Sequence, residues 1–262
     1  MCAERTVSVA SGAEAFVELL NSHAVDYIFL NPGTDTFPIQ EAITRLLVEE
    51  RRVPQIVVCP DESVAMAAAH GYFQMTGRAQ VVLVHVDAGT LQVGGALHNA
   101  QRGRIGVVFC AGQAPLTLEG EMKGSRDISI HWTQEQIDQG MIVRGFTKWD
   151  YELRRNESIH HVVNRAFQVA NAEPPGPVYL TLPREVLMEE ISSVRVPAPA
   201  DRQLPTTPQA DLEELDRAAG ILAKSSRPLI IVGDAGRNAR AVEALVELAD
   251  LIGAAVVASP IG

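Results

Sequence analysis

Cysteine is scarce in this chain. Three occur in 262 residues, Cys2, Cys59 and Cys110, an odd count with no CxxC spacing. That pattern does not make a disulfide framework and fits a reduced chain with a cytoplasmic location. Cys59 and Cys110 each end an apolar run and are expected to be buried as small hydrophobes. Positive charge is also short: 22 Lys and Arg against 32 Asp and Glu leave −10 with histidine neutral. No basic stretch offsets this, which argues against nucleic acid, whose phosphates need clustered cations. No apolar run approaches the ~18 residues of a membrane span. The start, MCAERTVSVA, lacks the basic and apolar regions of a signal peptide. No GxSxG, HExxH, P-loop or GxGxxG pattern occurs. Their absence lowers serine hydrolase, zinc protease, P-loop NTPase and generic dinucleotide-binding readings.

Apolar residues, by contrast, make up 47% of the chain. At this length they suffice to bury a core without staples, in one large domain or two. Short apolar runs alternate with helical periodicity. Strands are expected at Val25–Asn31, Gln55–Cys59, Gln80–Val86, Ile105–Ala111 and Val178–Leu182. Helices are expected from Ser11-Gly12 onward, over about Pro38–Glu50, over Glu62–Thr76 and near Ser158–Ala172, with Asp87–Thr90 as a loop leading into another helix. Strands that are apolar throughout imply an α/β fold with a parallel sheet flanked by helices. Functional groups in such sheets sit at the carboxyl ends of the strands. That rule selects Asn31–Asp35, Pro60–Glu62 and His85–Thr90.

Residues 115–140 are polar and irregular, as functional or mobile loops are. A Pro-rich stretch over 191–209 reads as a linker between a domain at 1–190 and a second segment at 210–262. The second segment offers two helices and two strands, the beginning of a Rossmann-like α/β domain and too little to stand alone.

Glu62 is the strongest chemical candidate. It follows a strand and opens the otherwise apolar helix ESVAMAAAHGY. The plain reading of such a glutamate is a first-turn cap, favoured by the helix N-terminus. A carboxyl group facing an apolar pocket would instead be able to exchange a proton near neutral pH. His85 ends the strand QVVLVHV and needs a partner, as a satisfied core histidine or as a proton carrier. Asn31, Thr34 and Asp35 form a polar cluster that turn chemistry alone would explain. Gly233–Gly236 reads as an ordinary strand-to-helix turn. His160-His161 lacks metal-site spacing. His131-Trp132 sits in the irregular loop.

Six pieces in order resemble one family: FLNPGTDTFP (Phe29–Pro38), PDESVAMAAAHGY (Pro60–Tyr72), HVDAGT (His85–Thr90), AGQAP (Ala111–Pro115), KWDYE (Lys148–Glu152) and GPVYLTLP (Gly176–Pro183). Together they resemble the N-terminal pyrimidine-binding domain of thiamine-diphosphate enzymes, in the branch of acetolactate synthase and benzoylformate decarboxylase. The resemblance runs from about Gly12 to Pro183 and on into the start of the family's middle domain.

The resemblance implies decarboxylation of a 2-oxo acid through a C2 ylid and an enamine. The alternatives are acetolactate-synthase-like carboligation of two 2-oxo acids, or a non-catalytic scaffold of the same fold. Glu62 matches the glutamate that hydrogen-bonds the cofactor's pyrimidine. Thr34 and His85 fall where benzoylformate decarboxylase has a substrate-contacting serine and a catalytic histidine. Pro32, Gly33, Gly89, Thr90 and Asn99 are expected to flank the cofactor, and Gln113 the substrate cleft. The family holds Mg2+ and the diphosphate through a GDG motif in a separate domain. This chain has no GDG, so the metal ligands are expected elsewhere. FAD, which some members bind, is possible but not supported. The implied partners are a small 2-oxo acid and a second subunit that completes the cofactor site, in a homodimer or homotetramer of a longer chain.

Overall fold

The computed structural model describes residues 4–199, 203–206 and 209–259; Cys2 lies outside them. The chain divides into two units, Met1–Pro205 and Thr206–Gly262. The first unit runs β1 (Arg5–Ser8), α1 (Gly12–Ser22), β2 (Tyr27–Leu30), α2 (Phe37–Val48), β3 (Gln55–Val58), α3 (Glu62–Thr76), β4 (Gln80–Val84), α4 (Val86–Gln92), α5 (Gly94–Arg102), β5 (Val107–Gln113), α6 (Ile130–Thr133), β6 (Asp150–Glu152), α7 (Ile159–Asn171), β7 (Val178–Pro183), α8 (Arg184–Met188) and β8 (Ser193–Val196).

Six of these strands form one parallel sheet in the order β3-β2-β4-β5-β7-β6. Every residue of β4 and β7 is buried, while the edges β3 and β6 are partly exposed. Central strands this apolar need helices on both faces, which is the α/β fold expected from the sequence. The order also fixes where a crevice opens. From β2 the chain passes outward to β3, and from β4 it passes the other way to β5. The two neighbours therefore send their following loops apart, and ligands of open α/β sheets bind at such a reversal.

Helix α1 shows how the local sequence fixes one of these layers. Ser11 caps it by accepting from the Glu14 N–H, and Glu14 reaches back to the Ala10 N–H at 2.7 Å. Gly12 through Leu20 are all buried, with Phe16, Leu19 and Leu20 in the core. Cys59 and Cys110 are buried and free; burial pushes both thiols up.

Two expectations change. Asp87–Thr90 is not a loop but part of α4, which starts directly after β4. An aspartate in the first turn suits a helix N-terminus, and the Thr90 hydroxyl donates back to the Val86 carbonyl at 2.7 Å. The stretch 191–209 does not begin as a linker either. Its SVRV alternates, burying Val194 and Val196, and β8 pairs antiparallel with β1. The prolines that follow obscure that short period-2 signal.

The second unit comprises α9 (Leu212–Ala223), β9 (Leu229–Val232), α10 (Ala239–Ile252) and β10 (Ala255–Ala258). Its two strands pair in parallel. Asp211 and Asn238 cap the two helices through their side chains. Among the described residues no helix is long and apolar enough to cross a membrane.

Phe16 is wholly buried, so Phe16→Ala is expected to cost the first unit about 3–5 kcal/mol. Both tryptophans, Trp132 and Trp149, lie in that unit. Urea unfolding followed by their fluorescence checks the value.

Candidate active site

The carboxyl ends of β2, β3, β4 and β5 bring Pro32–Asp35, Glu62, His85–Thr90 and Gln113 to one edge of the sheet. Glu62 is the first residue of α3, but it is not the cap. Asp61 does that work: its Oδ1 accepts from the Ser63 N–H at 2.8 Å and its Oδ2 from Gln92 Nε2 at 3.1 Å. Glu62 is thereby released from capping. It is half-buried, and among the described residues none donates a hydrogen bond to its carboxylate. Its Oε1 lies 3.2 Å from the point where a Cβ on Gly89 would stand.

His85 follows β4 and is half-buried. Its Nδ1 meets Oδ1 of Asp35, the residue that turns the chain from β2 toward α2. The other oxygen of Asp35 accepts the Val86 N–H at 3.1 Å. Asp35 is 4% exposed and has little room to move. A Cβ on Gly112 would stand 1.9 Å from its Oδ2, and one on Gly33 2.5 Å from its Oδ1 and 2.1 Å from His85 Nδ1. Both glycines are required by this close approach. Val86 takes a φ of +25°, a strained value for a β-branched residue, worth about 1–3 kcal/mol. The strain falls at the residue whose N–H Asp35 binds. The hydrogen bond that His85 Nδ1 donates to Asp35 holds the His85 pKa above its ordinary value against the lowering effect of burial, and the charges of Asp35, Asp87 and Glu62 add to it.

The remaining expected residues divide. Pro32 and Thr34 are exposed at the turn after β2. Thr90 is fully buried, and its hydroxyl meets the Tyr179 hydroxyl at 2.9 Å. Gln139 Nε2 donates to that same hydroxyl at 2.8 Å and to the Gly112 carbonyl at 2.7 Å. Burial pushes the Tyr179 phenol up to about 12. This network lies beneath the site as a support. Gln113 has a buried Oε1 with no protein partner and lines a cavity of about 460 Å³ with Trp132, Gln136 and Glu152. Asn99 stands apart, exposed on α5, with its side chain 3.4 Å from His98.

Sequence reasoning passed over Asp35 as turn chemistry, and it missed Gln134, whose Nε2 lies 3.1 Å from His85 Nε2. The irregular loop that carries Gln134 is pinned from below. Glu185 accepts from the Leu116 and Thr117 N–H groups at 2.6 and 2.9 Å, and Arg126 donates to the Pro115 carbonyl at 2.7 Å. Lys148 of the KWDYE piece donates to three carbonyls at the end of α7 and beyond, those of Val169, Ala172 and Pro174. That piece is structural. A larger cavity, about 750 Å³, opens beside α1, α2 and α8. It begins at Phe37 and Pro38, just past the turn after β2, but none of Asp35, Glu62, His85 or Gln113 lines it, and its buried Glu14 is spent on the α1 cap. Among the described residues no three His, Cys, Asp or Glu side chains gather as a metal site.

Because folding raises the His85 value, the charged ring stabilises the fold fully below about pH 6.5, the free-histidine value. That contribution is lost as pH rises through the folded value. The urea midpoint should therefore fall over this window, and Asp35→Asn should flatten the fall. An equal slope in both proteins would contradict the pairing.

Comparison with known proteins bears on the family and the fold. The family model "Thiamine pyrophosphate enzyme, N-terminal TPP binding domain" matches residues 10–142. A probable acetolactate synthase large subunit from Methanocaldococcus jannaschii is 27% identical over 244 residues, covering 92% of this chain and 39% of that protein. An acetolactate synthase from Mycobacterium bovis is 27% identical over 252 residues, covering 94% of this chain and 38% of that protein. A thiamine diphosphate-dependent 4-hydroxybenzoylformate decarboxylase from Rhodococcus jostii RHA1 shares the fold. Its TM-score is 0.77 at 22% identity, over 96% of this chain and 44% of that one. The chain thus spans about two-fifths of the length of the curated relatives, at 39% and 38%. It belongs to the thiamine-diphosphate enzyme family, through that family's N-terminal cofactor-binding domain.

Proposed function

We propose that this chain supplies the pyrimidine side of a thiamine-diphosphate site that decarboxylates a 2-oxo acid. The observation that carries the reading is the placing of Glu62, a carboxylate relieved of capping by Asp61, beside His85, a histidine held by Asp35. Two proton-handling groups then share one strand-end crevice.

The cofactor's pyrimidine fits what Glu62 offers. A half-buried carboxylate with no described donor can accept from a ring N–H, and Gly89 leaves space beside its Oε1. Thiamine diphosphate, when bound, supplies a carbon nucleophile and an electron sink for the bond to CO2. Glu62 holds and exchanges a proton at the pyrimidine nitrogen through one carboxylate oxygen. His85 Nε2 gives or takes a proton at a substrate oxygen, since Nδ1 is engaged by Asp35. Pro32, Gly33 and Gly89 border the cofactor, Thr90 supports it from beneath, and Asn99 belongs to its outer surroundings. Thr34 and Gln113 meet the substrate. On this reading the Mg2+ ligands belong to another domain. FAD has no place in this reading. A second subunit closes the site, in a homodimer or homotetramer of a longer chain in the cytoplasm. Residues 210–262 begin the middle domain.

A second reading is carboligation of two 2-oxo acids. It is supported by the acetolactate synthase names of the relatives. The two reactions share their first half and differ in what intercepts the intermediate, a proton or a second carbonyl compound.

Glu62→Gln in the cofactor-loaded assembly is expected to slow exchange of the thiazolium C2–H by about 10²–10⁴-fold, with folding intact. Unchanged turnover would remove Glu62 from the mechanism and favour a scaffold. Product analysis with pyruvate separates the two reactions. An aldehyde plus CO2 supports decarboxylation, and a branched hydroxy-oxo acid supports carboligation.

A further inference from the structure

His85 has two ring nitrogens with different surroundings. Nδ1 meets Asp35, a carboxylate that only accepts, so Nδ1 carries a proton in both the neutral and the charged ring. Asp35 cannot swing away. Its second oxygen is bound by the Val86 N–H, and the Gly33 and Gly112 backbones close on it. Proton exchange at His85 is therefore confined to Nε2.

Nε2 is covered by Gln134, which lies just past α6 on the irregular loop. Gln136 Nε2 donates to Asp87 Oδ2 at 2.9 Å, a second polar tie from the same stretch to the first turn of α4. On either side of these ties the stretch presents apolar side chains to solvent: Trp132 is 58% exposed and Ile137 fully exposed. Glu135 pairs with Arg126 at 2.9 Å, and Arg126 lies 4.0 Å from the Trp132 ring. The stretch 130–137 thus touches the site through two amide hydrogen bonds, while the buried His131 and the Glu135–Arg126 pair anchor it beside the site.

A glutamine amide suits this place for a chemical reason. Its NH2 donates to Nε2 when the ring is neutral, and its carbonyl accepts from Nε2–H when the ring is charged. Gln134 can hold His85 in either state. An arriving oxygen acceptor, however, needs the same Nε2–H and must take the amide's place.

We propose that Asp35 is the positioning residue that fixes the His85 tautomer, and that Gln134 is a displaceable cover on Nε2 which a substrate carboxylate or carbonyl oxygen replaces, loosening the hold of residues 130–137 on the site. The substrate half of this statement rests on the function proposed above; the tautomer and the cover do not. The charged groups facing His85 are Asp35, Asp87 and Glu62, with Glu135 of the loop engaged by Arg126. The ring is thus surrounded by acceptors that favour its charged form, which is the form that would grip an anionic oxygen.

The test uses the chain itself. Ring-nitrogen NMR shifts of histidine, with His85 assigned from His85→Gln, are expected to show the Nδ1–H tautomer at high pH in the wild type and a mixture in Asp35→Asn. Gln134→Ala should keep the tautomer and speed amide exchange across 130–137 by about tenfold, the worth of one hydrogen bond. An Nε2–H tautomer in the wild type, or unchanged exchange in Gln134→Ala, overturns the proposal.

Pyruvate is then added with His85 charged, to the chain and to the cofactor-loaded assembly. A saturable shift at Nε2 together with faster exchange over 130–137 supports displacement. If neither appears while Glu62-dependent turnover of pyruvate is intact, the cover is refuted and the proposed function stands. If turnover is also absent, both the displacement and the function fail, while the tautomer result still reports on Asp35. Gln134→Glu supplies a further check. It places a permanent acceptor on Nε2, and should raise the pH at which His85 titrates and weaken the pyruvate effect. No change in either would overturn the cover.

Discussion

The carboxyl edge of this domain's sheet depends on one buried carboxylate. Asp35 is almost wholly out of water, and a charge so placed is tolerable only when its oxygens are occupied. One oxygen holds the His85 ring and the other the Val86 N–H. Two consecutive residues after β4 are thus tied to the turn after β2. Much else is set by this. Gly112 and Gly33 must lack side chains because Asp35 fills the space. The positive φ of Val86 falls at the residue whose N–H the carboxylate takes. α4 starts there without a loop, and that start brings Gly89 against Glu62. Removing the carboxylate would leave a ring nitrogen and a backbone donor unpaired in a crowded site.

The topology explains why this tie bridges β2 and β4 in particular. They are adjacent strands whose following connections run in opposite directions. Such a reversal leaves a gap at the sheet's carboxyl edge, because neither loop covers the other's strand. Asp35 and His85 face each other across that gap. Glu62, after β3, and Gln113, at the end of β5, flank it on the two sides. The parallel sheet supplies the convergence, and the carboxylate supplies the rigidity that the proposed proton transfer would require.

Much of this was legible in the sequence, and the exceptions have physical causes. The strands read clearly because their burial on both faces forbids polar interruption, as in QVVLV and VYLTLP. Glu62 and His85 stood out because each breaks an apolar pattern at a strand end. Asp35 did not stand out. In NPGTDT an aspartate is what a turn would carry anyway, and nothing local reveals that it is buried. Its partners lie 50 and 51 residues further on, and only the sheet order brings them near. Gln134 was hidden for a related reason. It sits in a loop without periodicity, where position follows from anchors such as Glu185, 68 and 69 residues from the backbone groups it binds. The plain reading of Glu62 as a cap also failed for a local cause, since Asp61 beside it has the extended backbone that a cap needs.

The exposure of Glu62 bears on what the domain lacks. A carboxyl group that trades a proton with a ring nitrogen works best with water excluded, because water competes for both partners. Within the described chain Glu62 is only half-buried, and nearby apolar side chains, Val64 and Leu91, are 48% and 61% exposed. Apolar groups beside a functional carboxylate are commonly destined for contact, since exposed apolar patches mark interaction surfaces. On the proposed function, the surface that would dry Glu62 and the groups that would hold a diphosphate would belong together on a second body. That arrangement separates the labours of the site. One surface would fix the proposed proton-handling side chains through a rigid, fully paired carboxylate, and the other would bring charge neutralisation and closure. On the proposed reading, catalytic competence would arise only when both are present, and a reactive centre would be protected from water until the assembly is complete.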